Sequence, residues 1–166
     1  GKDVPQNEIG EIILSGDPIS PGYFRNPAEN AKSFREGWFY TGDLGKLDER
    51  GTLFIEGRKK ELIIVSGFNV YPQEVEEVLL SMEGIARVAV VGEKRALRGE
   101  VVKAYVVLEE GANLDPVEIV RFCKKKLPPY KGPRLLEIVA ELPPTVTGTV
   151  MKYLITSSGW EVEVAE

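Results

Sequence analysis

Gly57-Arg58-Lys59-Lys60-Glu61-Leu62-Ile63-Ile64-Val65-Ser66-Gly67-Phe68-Asn69-Val70-Tyr71-Pro72 is the stretch on which the fold turns. Its basic opening gives way to Leu62, Ile63, Ile64 and Val65, a short β-favouring run of the kind that forms a buried strand. Ser66 and Gly67 break that run into a loop, and Pro72 sits where proline suits the first turn of a helix. The change of character after Gly57 marks a boundary. Residues 1–58 read as a β-rich fragment, 59–160 as a compact α+β domain and 161–166 as a tail.

Moving toward the C-terminus, Val75, Val78, Leu79 and Met82 recur on one helical face, and Glu74, Glu76 and Glu77 crowd the N-terminal end, where the helix dipole favours anions. Gly84 stops this helix. Two apolar strands are expected at 86–91 and 101–108, separated by the polar loop GEKRALRGE, 92–100. Asp115 caps a second helix over 116–127, whose Lys124-Lys125-Lys126 end matches the dipole and which Pro128 and Pro129 terminate. A strand over 135–139, the loop LPPTVTGT and a short helix VMKYLI follow. From residue 61 the order is strand, helix, strand, strand, helix, strand, an α+β class with a mixed sheet and flanking helices.

Toward the N-terminus the pieces are smaller. EIILS, 11–15, reads as a strand, Pro27 opens a short helix, and Asp48-Glu49-Arg50-Gly51 turns a hairpin between 44–47 and 52–56. These resemble parts of a β-structure rather than a complete one.

Composition removes whole classes of function. The chain has 166 residues, 26 acidic against 21 basic, and a net charge of −5, so it lacks the basic face that nucleic acid requires. It has no histidine, which excludes a Ser-His-Asp or Cys-His machine and a His-ligated zinc site, and no metal site is expected. Its one cysteine, Cys123, shares a periodic face with Val120 and Leu127 and reads as a buried structural thiol. No apolar run approaches a membrane span and the N-terminal segment has no signal core, so a cytoplasmic setting is expected.

Three motifs carry chemistry: Tyr40-Thr41-Gly42-Asp43-Leu44-Gly45, then Gly57-Arg58-Lys59-Lys60-Glu61, then Val65-Ser66-Gly67-Phe68-Asn69-Val70-Tyr71-Pro72. Asp43, read as lying in a Gly-flanked turn, offers acceptor oxygens that suit ribose hydroxyls, although an Asp after Gly also commonly caps its own turn. Arg58 can project a guanidinium to sugar or phosphate oxygens, or simply lie on the surface beside two lysines. Lys60, exposed between packed strands, meets the requirement for a hinge, and equally that of an ordinary solvated lysine. Gly67 lets a backbone or thin ligand approach closely, or serves as a plain turn glycine.

In this order, with RGEVVKAYVVL and LPPYKGPR downstream, the motifs resemble the adenylate-forming superfamily of acyl-CoA synthetases, firefly-type luciferases and peptide-synthetase adenylation domains. The likeness extends over nearly the whole chain, and GFNVYP is closest to fatty-acid and aryl-acid CoA ligases. It implies a mobile C-terminal lid preceded by the last part of a large AMP-binding domain, which in the full-length protein would be covalently continuous and carry the phosphate loop absent here. It also implies that a fatty or aryl carboxylic acid, ATP with Mg2+, and CoA are used. Asp43 and Arg58 would contact the ATP or AMP ribose, Lys60 would be the hinge, and Ser66, Gly67 and Phe68 would line the CoA channel.

The sequence departs from this pattern at one place. In the terminal loop beginning at Pro144, Thr149 stands where the family has its adenylation lysine, and a neutral hydroxyl cannot supply that lysine's charge to developing negative oxygens. Two readings follow: a ligase fragment, inactive by itself, or a non-catalytic CoA- or nucleotide-binding module that has lost adenylation.

Overall fold

Residues 3–95, 99–143 and 152–156 are described by the computed structural model, in which the chain divides between Lys60 and Glu61 into two units. In the first unit, β1 (Gly10–Leu14) runs antiparallel to β3 (Trp38–Leu47). A short β2 (Phe34–Arg35) joins the beginning of β3, and β4 (Leu53–Arg58) pairs with its end. Local chemistry sets each joint. Asn26 accepts from the Glu29 N–H at 3.2 Å to start α1 (Pro27–Ser33), with Pro27 in its first turn. The Asp48 carboxylate accepts from the Arg50 and Thr52 N–H groups at 2.9 and 2.8 Å, which closes the β3–β4 hairpin as expected.

This unit has little core of its own. Among the described residues Leu44 is its single buried hydrophobic side chain, while Phe24, Trp38, Leu53, Phe54 and Ile55 are exposed. Its strands approach closely at Gly45, where a Cβ would meet the Phe54 carbonyl at 2.6 Å.

The second unit is built differently. β5 (Ile63–Val65) and β6 (Phe68–Val70) form a hairpin, followed by α2 (Pro72–Leu80), β7 (Ile85–Arg95), β8 (Gly99–Leu108), α3 (Pro116–Lys126), β9 (Leu135–Ile138) and α4 (Lys152–Thr156). The strands form one five-stranded sheet in the order β6-β5-β8-β7, with β9 also on β8. All pairs are antiparallel except β8 with β9, so the sheet is mixed. Asp115 and Glu118 form a reciprocal capping box at the start of α3.

Strand alternation gives the sheet two apolar faces. Val88, Val90, Val102, Ala104 and Val106 meet Val75 and Leu79 of α2 and Ile119 and Cys123 of α3. The intervening Ala89, Val91 and Tyr105 gather with Val139, Leu142 and Ile155 on the other face. At the outer strand, β7, the Val90 N–H donates to Glu76 Oε1 at 2.7 Å, and α4 packs against the same strand.

Two differences from the expected elements are instructive. Most of 92–100 is not a loop: the β7–β8 ladder continues through Gly92↔Val102, Glu93↔Val101, Lys94↔Glu100 and Arg95↔Gly99. Ladder bonds use backbone groups alone, and Glu93 is paired along β7 with Arg95 and across to Lys103 of β8. Lys103 Nζ lies 2.8 Å from Glu137 on β9 and 3.2 Å from Glu93 on β7. Burial pulls the Lys103 pKa down, but hydrogen bonds with Glu137, Tyr105 and Glu93 outweigh it, and the ammonium is held above the usual lysine range. The second difference is β6, a three-residue strand too short to announce itself by period.

Among the described residues no helix is long and apolar enough to cross a membrane. Cys123 is fully buried, and burial pushes its thiol up to about 11. An aromatic disulfide reagent at pH 8 is therefore expected to leave Cys123 unlabelled in the native chain and to titrate one thiol after unfolding in guanidinium. Rapid native labelling would contradict this burial.

Candidate functional site

Asp43 and Arg58 are brought together by strand register. They are partners across β3 and β4, and Arg58 Nε lies 2.8 Å from Asp43 Oδ1. Asp43 is in a strand rather than a turn, and the residue that braces the kink is its neighbour Thr41. The Thr41 hydroxyl donates to the Ile12 carbonyl at 2.8 Å and accepts from the Asp43 N–H at 3.0 Å. Gly42, at φ +75°, supplies the left-handed step that this arrangement needs. The Asp43 carboxylate is thus aimed from both sides: its backbone is fixed by Thr41, and its side chain is held by a guanidinium whose remaining N–H groups can donate elsewhere.

The Arg58 side chain is 63% exposed, so the pair contributes only about 0.2–1 kcal/mol to stability. Orientation is its main effect.

Lys60 lies in a single 3-10 turn, Lys59–Glu61, and is exposed. Its two neighbours are each tied into their own unit. Lys59 Nζ donates to Glu11 Oε2 at 2.8 Å in the first, and Glu61 Oε2 accepts from Lys152 Nζ at 3.0 Å in the second. The division between units therefore falls at a residue flanked by two anchored ones.

Ser66 and Gly67 form the two-residue turn of the β5–β6 hairpin, with Val65 paired to Phe68. Both have positive φ, +50° and +89°, the signature of a type I′ turn, which matches strand twist. Nothing lies within 4 Å of where a Gly67 Cβ would be, so its glycine answers to backbone conformation and not to crowding within the chain. Phe68 begins β6, and its ring stacks on Tyr130 at 4.7 Å with 27° between planes. The adjoining Lys131 reaches both Glu74 oxygens, at 2.7 and 2.6 Å, fixing the loop that carries Tyr130 to the start of α2.

Sequence reasoning placed Tyr130 within LPPYKGPR without giving it a role, because stacking between distant segments leaves no periodic signal. Thr149 lies outside the described residues. Lys152 is engaged by Glu61 and by Glu76, whose Oε1 is 2.8 Å away. Among the described residues no group of three metal-ligating side chains converges, so they do not by themselves fit a magnesium site.

Residues 74–149 match the family model of the AMP-binding enzyme C-terminal domain. A long-chain-fatty-acid–CoA ligase of Bacillus subtilis is 45% identical over 145 residues, 87% of this chain and 26% of that protein. ATP-bound MatB from Rhodopseudomonas palustris superposes with a TM-score of 0.87 at 40% identity, covering 93% of this chain and 31% of that one. The o-succinylbenzoate CoA synthetase MenE of Bacillus subtilis, in complex with its acyl-adenylate intermediate, gives a TM-score of 0.87 at 34% identity, covering 97% and 33%. The chain thus spans about a third or less of the relatives that it matches.

Asp43→Asn in this chain is expected to lower stability by no more than about 1 kcal/mol, read from urea denaturation. A larger loss would make Asp43 a structural residue first.

Proposed function

The chain belongs to the adenylate-forming superfamily of acyl-CoA and aryl-acid CoA ligases, and from that premise we propose that it supplies the hinge, a nucleotide-ribose contact and the CoA channel of an ATP-dependent acyl-CoA synthetase. The parent reaction has two steps. A carboxylate oxygen of a fatty or aryl acid attacks the α-phosphorus of ATP, forming acyl-AMP and releasing pyrophosphate. The CoA thiolate then attacks the acyl carbonyl, forming the thioester and releasing AMP. CoA enters as a substrate rather than as a resident cofactor. Magnesium, where present, neutralises ATP phosphates and would be held by them and by parts of the protein beyond this chain.

The pairing of Asp43 with Arg58 carries this reading. A carboxylate fixed by a guanidinium and a braced backbone is a stationary double acceptor, which is what two ribose hydroxyls require. Lys60 serves as the pivot, because a residue between two anchored neighbours can absorb a change of φ and ψ without loss of buried contacts. Ser66, Gly67 and Phe68 lie at the tip of a hairpin, where an open left-handed glycine admits the thin pantetheine arm. The exposed apolar residues of the first unit, Leu53, Phe54 and Ile55 among them, support a covalently continuous larger domain that covers them. A cytoplasmic setting, where ATP and CoA are both supplied, belongs to the same proposal.

Thr149 favours a second reading, a CoA- or nucleotide-binding module without adenylation. Pyrophosphate exchange by the full-length protein, with Thr149 and with Thr149→Lys, separates the two: exchange gained only with lysine supports the module that has lost adenylation, and equal robust rates rule that module out. In the synthetase, Asp43→Asn is expected to weaken ATP by about 10- to 100-fold, the worth of hydrogen bonds to a charged group. Gly67→Val is expected to raise KM for CoA well above any change in KM for ATP. If Asp43→Asn leaves ATP binding unaltered, the ribose assignment is wrong. The chain by itself, given acid, ATP and CoA, is expected to form no acyl-CoA.

A further inference from the structure

We propose that Glu100 is a positioning residue of the CoA channel, its carboxylate standing in for a strand carbonyl beside β5 and so fixing the hairpin that carries Ser66 and Gly67; this rests on the reading of that hairpin as the channel. Val65 and Phe68 pair across the turn. In a hairpin of this kind the flanking pair exchanges backbone bonds, so the N–H of the preceding residue, Ile64, points away from β6 and toward β8. Among the described residues β5 meets the ladder of β8 at one pair, Val65↔Gly99. Beside that pair the Ile64 N–H donates to a side chain, Glu100 Oε2, at 2.9 Å.

The hairpin needs such a hold. β5 and β6 have three residues each, and β6 is outermost in the order β6-β5-β8-β7, so the pair joins the rest of the sheet along β5 only. Ile63, Val65 and Val70 bury their side chains in the core, which fixes the base of the hairpin. The carboxylate adds a bond on the backbone itself, and Ser66 lies two residues beyond Ile64, so this anchor acts directly on the turn. Room for it comes from β7. A Cβ at Gly92 would lie 3.2 Å from both Glu100 Cδ and Oε1, and 3.3 Å from Ile63 Cγ2, closer than a packed interior takes without displacement. Gly92 does not have a positive φ, so what it supplies at this point is space for the carboxylate.

Two measurements test the idea. In the chain itself, Glu100→Ala is expected to speed exchange of the Ile64 amide by about 10- to 100-fold while the Val90 amide keeps its rate. Glu100→Gln, which retains an acceptor oxygen, should preserve most of the protection. Unchanged exchange at Ile64 would mean that the carboxylate does not hold the strand, and equal acceleration at both amides would mark a general loss of stability; either overturns the proposal.

In the full-length protein, transfer to CoA is followed from supplied acyl-adenylate. Glu100→Ala is expected to raise KM for CoA by about tenfold, the cost of a displaced binding segment, with little change in KM for the acyl-adenylate, and Glu100→Gln should bring KM for CoA most of the way back. Gly67→Val, placed in the channel itself, probes the underlying reading. A raised KM for CoA in Gly67→Val without one in Glu100→Ala overturns the proposal alone, as does an equal rise of both KM values in Glu100→Ala. If neither variant moves KM for CoA, or the unaltered protein transfers nothing to CoA, the channel reading falls and the proposal with it, even where Ile64 exchange responds in the chain.

Discussion

Burial of β8 on both faces is the constraint from which the second unit follows. Val102, Ala104 and Val106 point to α2 and α3, and Tyr105 points to the opposite cluster. A strand enclosed in this way must find backbone partners on both edges, and β7 on one side with β5 and β9 on the other provide them. Each fully buried Val, Leu or Ile contributes about 1.5–3 kcal/mol, which gives this unit a core. The first unit has no comparable strand, and its apolar residues at 53–55 lie open.

That contrast bears on how the proposed pivot works. A hinge is useful when what it carries is stiff and when the bending is confined. Stiffness comes from the β8 core, which also supports the hairpin bearing Ser66 and Gly67. Confinement comes from the ion pairs either side of Lys60. The Lys59–Glu11 pair involves a lysine side chain that is 59% exposed, so it contributes a fraction of a kcal/mol to about 1 at most. Lys152 is sheltered and doubly paired.

Much of this was legible in the sequence, for identifiable reasons. Helical periodicity marked α2 and α3, whose buried residues Val75 and Leu79, and Ile119 and Cys123, lie four residues apart. The family likeness pointed to Asp43 and Arg58, which the structure pairs directly. What the sequence concealed was non-local or indifferent to side-chain character. Charged residues at 93–95 suggested a loop, yet the ladder there is made of backbone groups, to which side-chain charge is irrelevant. Asp43 between glycines looked like a turn because the bulge that kinks β3 has no period. Lys152 meets a carboxylate 91 residues away, and Tyr130 meets Phe68 from a distant segment of the chain; neither contact leaves a trace in local composition.

The outer strand of the sheet has one more consequence. β7 lies at the margin, and an uncovered margin offers unpaired N–H and C=O groups to any extended segment that drifts past. Here Glu76 of α2 takes the Val90 N–H, which closes part of that margin to strand addition, and α4 packs through Ile155 beside Ala89 and Val91 of the same strand. A truncation ahead of α4 would leave that edge contact but take Ile155 away from Ala89, Val91 and Tyr105, and the shortened protein would be prone to self-association through this apolar face at concentrations where the intact chain stays dispersed.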